Sequence, residues 1–252
     1  MLSCCHSLFQ GLVLNFLRTE ELFDLDQISF SKLFLETVYP WEVLFHLKAF
    51  FETQTLGSIQ TEIPEGAILV DPENITIGKG TIIEPGSYIK GPCIIGQNCT
   101  VRQGAYIRGY CLTGDNCVIG HATEVKHSIF LNHAKAAHFA YLGDSILGSH
   151  VNLGAGVKCA NLRLDESEII LKLLDGHYST GLRKLGAILG DYVQIGCNAV
   201  TNPGTVMGKR SHCFPCINIG GIIPQGSVVK PSVTPTIAQA YKQEVRDGLP
   251  TQ

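Results

Sequence analysis

Two kinds of side chain here can carry protons or hold metal near neutral pH, histidine and cysteine, and both recur at a fixed spacing. His121, His127 and His133 fall six residues apart, and His138 follows His133 by five. Three imidazoles could make an open zinc site. Against that, residues one coil apart in a repeating structure stack in a line, and such a line need not converge on an ion. Of the ten cysteines, Cys93, Cys99, Cys111 and Cys117 sit at separations that are multiples of six. Evenly repeated thiols read as compact apolar filler more readily than as a disulfide scaffold, which places the expected compartment on the reducing, cytoplasmic side.

The elements that must position these residues follow from the same count. Ile77, Ile83, Ile89, Ile95, Val101, Ile107, Ile119, Val125 and Leu131 share one six-residue frame, broken only at Thr113 before Ala137. Four residues after each comes a small residue: Thr81, Ser87, Cys93, Cys99, Ala105, Cys111, Cys117 and Thr123. A period of six matches neither a helix nor a plain strand. It matches a hexapeptide β-helix, in which three hexapeptides close one triangular coil. The aliphatic residue points into the prism and the small one fits near a corner. Gly78, Gly96 and Gly120 are expected to supply turn conformations that other residues enter at a cost.

Composition sets the bounds. The chain has 252 residues, 45% hydrophobic and 16% charged, with a net charge of −3. This affords a core and gives no reason to propose nucleic acid or an acidic membrane as partner. Met1 to Leu17 is apolar but has no basic residue before Arg18, so it lacks the charged start of a signal peptide. No run of about 18 apolar residues occurs, so no membrane insertion is expected.

Three regions are expected. Residues 1–60 read as a helical N-terminal cap. Leu8, Phe9, Leu12, Val13, Phe16 and Leu17 fall at helical spacing, and Pro40 starts a helix through Trp41 to Phe51. A solenoid end needs a cover, so this region is expected on the open first coil, with a partner-binding face as the alternative. Residues 61–230 form the solenoid, whose frame slips after Ala137, resumes at Leu147, Leu153 and Cys159, and returns at Leu189. A non-repeating insert at 161–184 interrupts it, too apolar at Ile169 to Leu174 for a free loop. Residues 231–252 form a tail with one short helix, Thr236 to Asp247.

The segment from Glu124 to Asp165 contains AAHFAYLGD, VNLGAG and CANLRLD. It resembles the acetyltransferase domain of the bifunctional enzymes joining glucosamine-1-phosphate N-acetyltransferase to a uridylyltransferase. The insert, TGLRKLGAILGD (Thr180 to Asp191) and YPWEVL (Tyr39 to Leu44) are most similar to the archaeal-type sugar-1-phosphate nucleotidylyltransferase/acetyltransferase branch. The resemblance covers about residues 39–230. It implies an all-β fold, a left-handed parallel β-helix, assembled as a homotrimer with sites at subunit boundaries. The glycine-rich loop of the relatives' nucleotidyltransferase domain is absent, so uridylyltransferase activity is expected to be missing or supplied by a separate nucleotidyltransferase.

The resemblance also assigns roles. It places the catalytic base on His138, an imidazole suited to taking a proton from an amine attacking a thioester. It places the sugar phosphate on Arg108, Lys126 and Tyr141, whose donors suit a phosphate. Asn152 and Asn161 would orient the sugar and its amine, although an asparagine entering a turn is usually structural. Lys184, with Arg183, is a further phosphate candidate. The acetyl-CoA channel would be lined by Ala155, Cys197 and Pro215, with a backbone N–H near Ala155 facing the oxyanion. Cys197 is not expected to act as a nucleophile, because the family transfers directly. The implied activity is N-acetylation of an amino-sugar 1-phosphate, most simply glucosamine-1-phosphate, with no metal. Two rivals remain, a γ-carbonic-anhydrase-like zinc enzyme and a non-catalytic solenoid subunit.

Overall fold

The computed structural model describes residues 17–173 and 176–232. Three eight-stranded parallel sheets run side by side along the chain, and successive strands pass from one sheet to the next in rotation. In each sheet the inward residues stack one coil above another. The first sheet stacks Ile89, Ile107, Val125 and Leu142. The second stacks Ile77 on Ile95 and, further on, Thr113, Phe130, Leu147 and Leu189. The third stacks Ile83, Val101, Ile119, Ala136 and Leu153. These residues form one buried cluster along the axis, each large aliphatic contributing about 1.5–3 kcal/mol from burial. The fold is the expected left-handed parallel β-helix.

The small-residue series lies where the count put it. Thr81, Ser87, Cys93, Cys99, Ala105, Cys111, Cys117 and Thr123 are all buried, and the four cysteines are unpaired. Several tie coils together. The Thr81 hydroxyl donates to the Gly96 carbonyl at 2.7 Å, and the Cys117 thiol to the Leu131 carbonyl at 3.1 Å. Thr113, the break in the frame, keeps its inward place and accepts the Gly96 N–H at 3.0 Å.

Two details differ from the frame. The slip comes earlier than expected, between Val125 and Phe130. Phe130 pairs with Thr113 and fills the interior, while Leu131 faces the outer cluster and Ala136, not Ala137, lies in the axial stack. Nor do Gly78, Gly96 and Gly120 adopt left-handed turn conformations. A Cβ on them would come within 2.6, 2.3 and 1.8 Å of backbone in the next coil, so glycine is needed for close approach. The left-handed turn positions are held largely by other residues, among them Asn98, Asn116, His133, His150, Tyr192 and Arg210.

The N-terminal region lies along the side of the prism, not over its first coil. Helices α1 (Thr19–Leu22), α2 (Lys32–Leu35) and α3 (Glu42–Thr53) pack with Leu112, Ile129, Ile146, Ile188 and Val206 in a second cluster. Those five are outward residues of the second sheet, each immediately before an inward one. An apolar outer face must be covered, and the helices cover it. Asp191 clasps this cover to the solenoid, accepting the N–H groups of Ser149 and Asp24 at 2.7 Å each and donating its own to the Leu22 carbonyl at 3.0 Å. The insert folds as an antiparallel hairpin, Ile170–Leu173 with Gly176–Ser179, and buries Ile169 and Leu171 in the same cluster. It leaves the register intact, since Leu153 pairs directly with Ile195. The helical spacing at Leu8 to Phe16, Leu174 and the tail helix at Thr236 to Asp247 lie outside the described residues. Among the described residues no helix is long and apolar enough to cross a membrane.

Candidate active site

His138 ends the third-sheet strand Lys135–His138, at the corner leading into the first sheet. Its register partner one coil below is His121. Above it the ladder continues in a fixed pattern: Gly156 N–H to the His138 carbonyl at 3.0 Å, Asn198 N–H to Ala155 at 2.8 Å, and Cys216 N–H to Cys197 at 2.9 Å. Pairing of Leu153 with Ile195, and of Ile195 with Cys213, carries the same column on to Pro215. His138, Ala155, Cys197 and Pro215 therefore stand in one line along one corner, on successive coils. The His138 side chain is exposed and makes no hydrogen bond among the described residues. The backbone N–H groups of Ala155 and Cys197 find no acceptor there either. The corner thus presents an accessible imidazole followed by unpaired backbone donors at Ala155 and Cys197, with small side chains.

The phosphate candidates gather on the adjoining first sheet. Arg108 and Lys126 are one coil apart in neighbouring strands. The Arg108 guanidinium donates to Glu124 at 2.7 Å, and Lys126 donates to Asp144 at 2.9 Å. The same Asp144 carboxylate takes His127 Nδ1 at 3.0 Å and the Asn161 side-chain amide. Tyr141 reaches Asn161 Oδ1 at 3.4 Å. Burial pushes the Asp144 carboxyl up, but the hydrogen bonds from His127, Lys126 and Asn161 outweigh burial and hold it below its ordinary value. Burial raises the Tyr141 phenol, with Lys126 opposing and Glu124 reinforcing. Two cations are thus matched by two carboxylates. Arg108 keeps free donors, its side chain 43% exposed, and Lys126 uses one of three.

Asp144 and Glu124 were not among the candidates. The signal was available for Asp144, an acid immediately after the glycine of YLGD and inside a buried coil. Glu124 gave none, an acid at the head of a strand being ordinary.

Other candidates lie apart. Asn152 is on the third sheet, between Lys135 and Gln194, so one chain does not bring it to Arg108, Lys126 and Tyr141. Lys184 is exposed at the return of the insert, bridged through its backbone to Leu162, with Leu185 N–H on the Asn161 carbonyl at 3.0 Å. Arg183 lies 3.6 Å from Glu166 and away from this cluster's carboxylates. His121, His127 and His133 occupy three different corners, because six residues advance the chain by one face, and so they do not converge. Among the described residues no group of three or more His, Cys, Asp or Glu could hold a metal ion.

Residues 89–212 match the family described as the GMPPB C-terminal domain. The chain is 30% identical over 205 residues to a bifunctional sugar-1-phosphate nucleotidylyltransferase/acetyltransferase of Sulfurisphaera tokodaii, covering 75% of this chain and 46% of that one. It is 34% identical over 173 residues to a bifunctional protein GlmU of Methanococcus maripaludis, covering 69% of this chain and 41% of that one. The chain thus spans less than half the length of these relatives. A Francisella novicida UDP-N-acetylglucosamine acyltransferase of known structure superposes with a TM-score of 0.46 at 17% identity, over 68% of this chain and 62% of that one.

Proposed function

We propose that this chain, whose residues 89–212 match the GMPPB C-terminal domain family, transfers an acetyl group from acetyl-CoA to the amine of an amino-sugar 1-phosphate, glucosamine-1-phosphate first among them. The observation that carries this reading is the single column of His138, Ala155, Cys197 and Pro215. The amine nitrogen attacks the thioester carbonyl, His138 takes the proton the amine loses, and the C–S bond breaks to release the CoA thiolate, which is then protonated. An unpaired N–H such as that of Ala155 stabilises the oxygen as it becomes negative. Arg108 and Lys126 hold the phosphate through donors left free by Glu124 and Asp144. Tyr141 and Asn161 orient the sugar.

The position of Asn152 on another face supports a site completed by a second copy. A pocket needs concave walls, and one prism offers grooves. In this reading the chain is a homotrimer in which a neighbouring prism supplies the wall bearing Asn152.

The test is release of free thiol from acetyl-CoA against a panel of amino-sugar 1-phosphates. Release that depends on the sugar phosphate supports the reading; release no faster than hydrolysis with every panel member refutes it. The pairing of Arg108 with Glu124 and of Lys126 with Asp144 favours one second reading, a non-catalytic subunit whose cations serve the fold. Copurification with a separate nucleotidyltransferase, without turnover, would establish that instead.

A further inference from the structure

A second groove, of about 310 Å3, lies at the corner between the second and third sheets, lined by His133, Lys135, His150, Val151, Asn152 and Gln194. Its wall is a ladder of rings. His133 stacks on His150 with centroids 4.4 Å apart and planes 7° from parallel, His150 on Tyr192 at 4.8 Å and 6°, and Arg210 lies over Tyr192 at 4.8 Å. The ladder arises because His133, His150, Tyr192 and Arg210 hold the same left-handed backbone, φ between 60° and 63°, on successive coils. Identical backbone at the spacing of a parallel sheet places identical side-chain stems in register. Asn116, Asn98 and Gly80 hold the equivalent corner one, two and three coils below His133, at little conformational penalty, whereas for larger side chains it costs about 1–2 kcal/mol each.

The chemistry of the groove follows from what the stack leaves free. The inner ring faces are occupied by one another, so a ligand meets imidazole edges with their N–H donors. Beside them stand the exposed Lys135 ammonium and the side-chain amide of Asn152, neither with a partner among the described residues. Gln194 adds an amide already donating to the His150 carbonyl at 3.2 Å. No carboxylate lines the groove. The acids of this corner are turned elsewhere, Asp115 to the Gln97 N–H and Asp191 to Ser149 and Asp24. Burial, His133 and Lys135 all disfavour the charged form of His150, as expected where positive charge is crowded without a counter-ion.

We propose that this groove binds the phosphoryl group of a small phosphorylated molecule, with the His133 and His150 edges and Lys135 as donors to its oxygens. On one chain it lies on a different face from Arg108, Lys126 and Tyr141; in the proposed trimer its Asn152 belongs to the wall a neighbouring copy presents to the acyl-transfer site, so Arg108→Ala is the variant that tells the two apart.

The probe is inorganic pyrophosphate, followed by titration calorimetry on the intact chain. Wild type should show a saturable site in addition to any occupancy of the Arg108 and Lys126 phosphate site. His133→Gln with His150→Gln, and separately Lys135→Met, should weaken it by about ten- to a hundredfold, the scale of losing hydrogen bonds to a charged group, while Arg108→Ala leaves it unchanged. Lys135 is exposed and unpartnered, so its variant reports even if the double variant does not fold. No saturable binding to wild type, binding indifferent to both variants, or binding lost in Arg108→Ala alone would each overturn the proposal.

Discussion

The His138 carbonyl accepts the Gly156 N–H at 3.0 Å, and that bond sets Ala155 directly above His138 on the next coil. The candidate base and the nearest unpaired backbone donor are thereby fixed to each other by the ladder, with no reliance on a mobile loop. His138→Ala should therefore leave the fold intact, since the imidazole is exposed and bonds to nothing among the described residues. Its loss should appear in kcat, by about 10²–10⁴-fold, in the thiol-release assay. Near wild-type turnover would remove the base from the mechanism.

Arg108→Ala should act differently. Its side chain is half exposed and its one ion pair is a surface pair, worth little to stability. The effect should be a raised KM for the sugar phosphate with a smaller change in kcat. A fall in kcat with unchanged KM would place Arg108 outside phosphate binding.

Thiol reactivity should divide the cysteines. Cys93, Cys99, Cys111 and Cys117 are buried in the small-residue slot, whereas Cys197 and Cys216 are exposed. Labelling of the native chain should be fast at Cys197 and Cys216 and slow at the four until the chain is denatured. Fast native labelling of Cys93 or Cys111 would contradict the register.

Burial raises the Asp191 carboxyl from 3.8 to about 6. The folded chain then holds this proton more tightly than the unfolded chain does. The contribution to stability is full below 3.8 and is lost as pH rises through about 6. Denaturant midpoints measured across that window should fall with rising pH, and Asp191→Asn should flatten the fall. An unaltered slope in the variant would assign the pH dependence to another group.

Thr201 occupies an inward position in the first sheet, fully buried against the Cys159 thiol of the coil below, and among the described residues its hydroxyl finds no oxygen or nitrogen partner. Thr201→Val keeps the shape and removes an unsatisfied polar atom, so it should stabilise the fold by about 1 kcal/mol, read from urea unfolding. Destabilisation would reveal a partner for the hydroxyl.

Much of the solenoid was legible because its period is arithmetic. A residue such as Ile107 identifies its neighbours in space from count alone, and the slots of Cys93 and Cys117 follow four residues on. The early slip was not legible: Phe130 and Leu131 are both large and apolar, so composition does not say which turns inward. The side cover was written in Ile94, Leu112, Ile129, Ile146, Ile188 and Val206, each one residue before an inward position and roughly one coil from the next. That pattern is visible only once three hexapeptides are read as a unit, and the insert at 161–184 hides it further. The column joining Ala155 to Cys197 is masked by the same insert, since the two are 42 residues apart in sequence yet adjacent in the ladder. Asn152 was the converse case, near the other candidates in sequence and on another face in space.

A three-sided prism that covers one side with its own N-terminal segment has two sides left. A closed ring of three copies requires two contact surfaces from each, of unlike kind, since the head of one meets the tail of the next. The uncovered sheets are unlike in that sense, the first bearing exposed Ile68 and Tyr106, the third Ile82 and Val228. The helices along the second sheet therefore do more than hide apolar surface. In the proposed trimer they bar a further copy from that wall, leaving the first and third sheets as the two faces through which copies could meet.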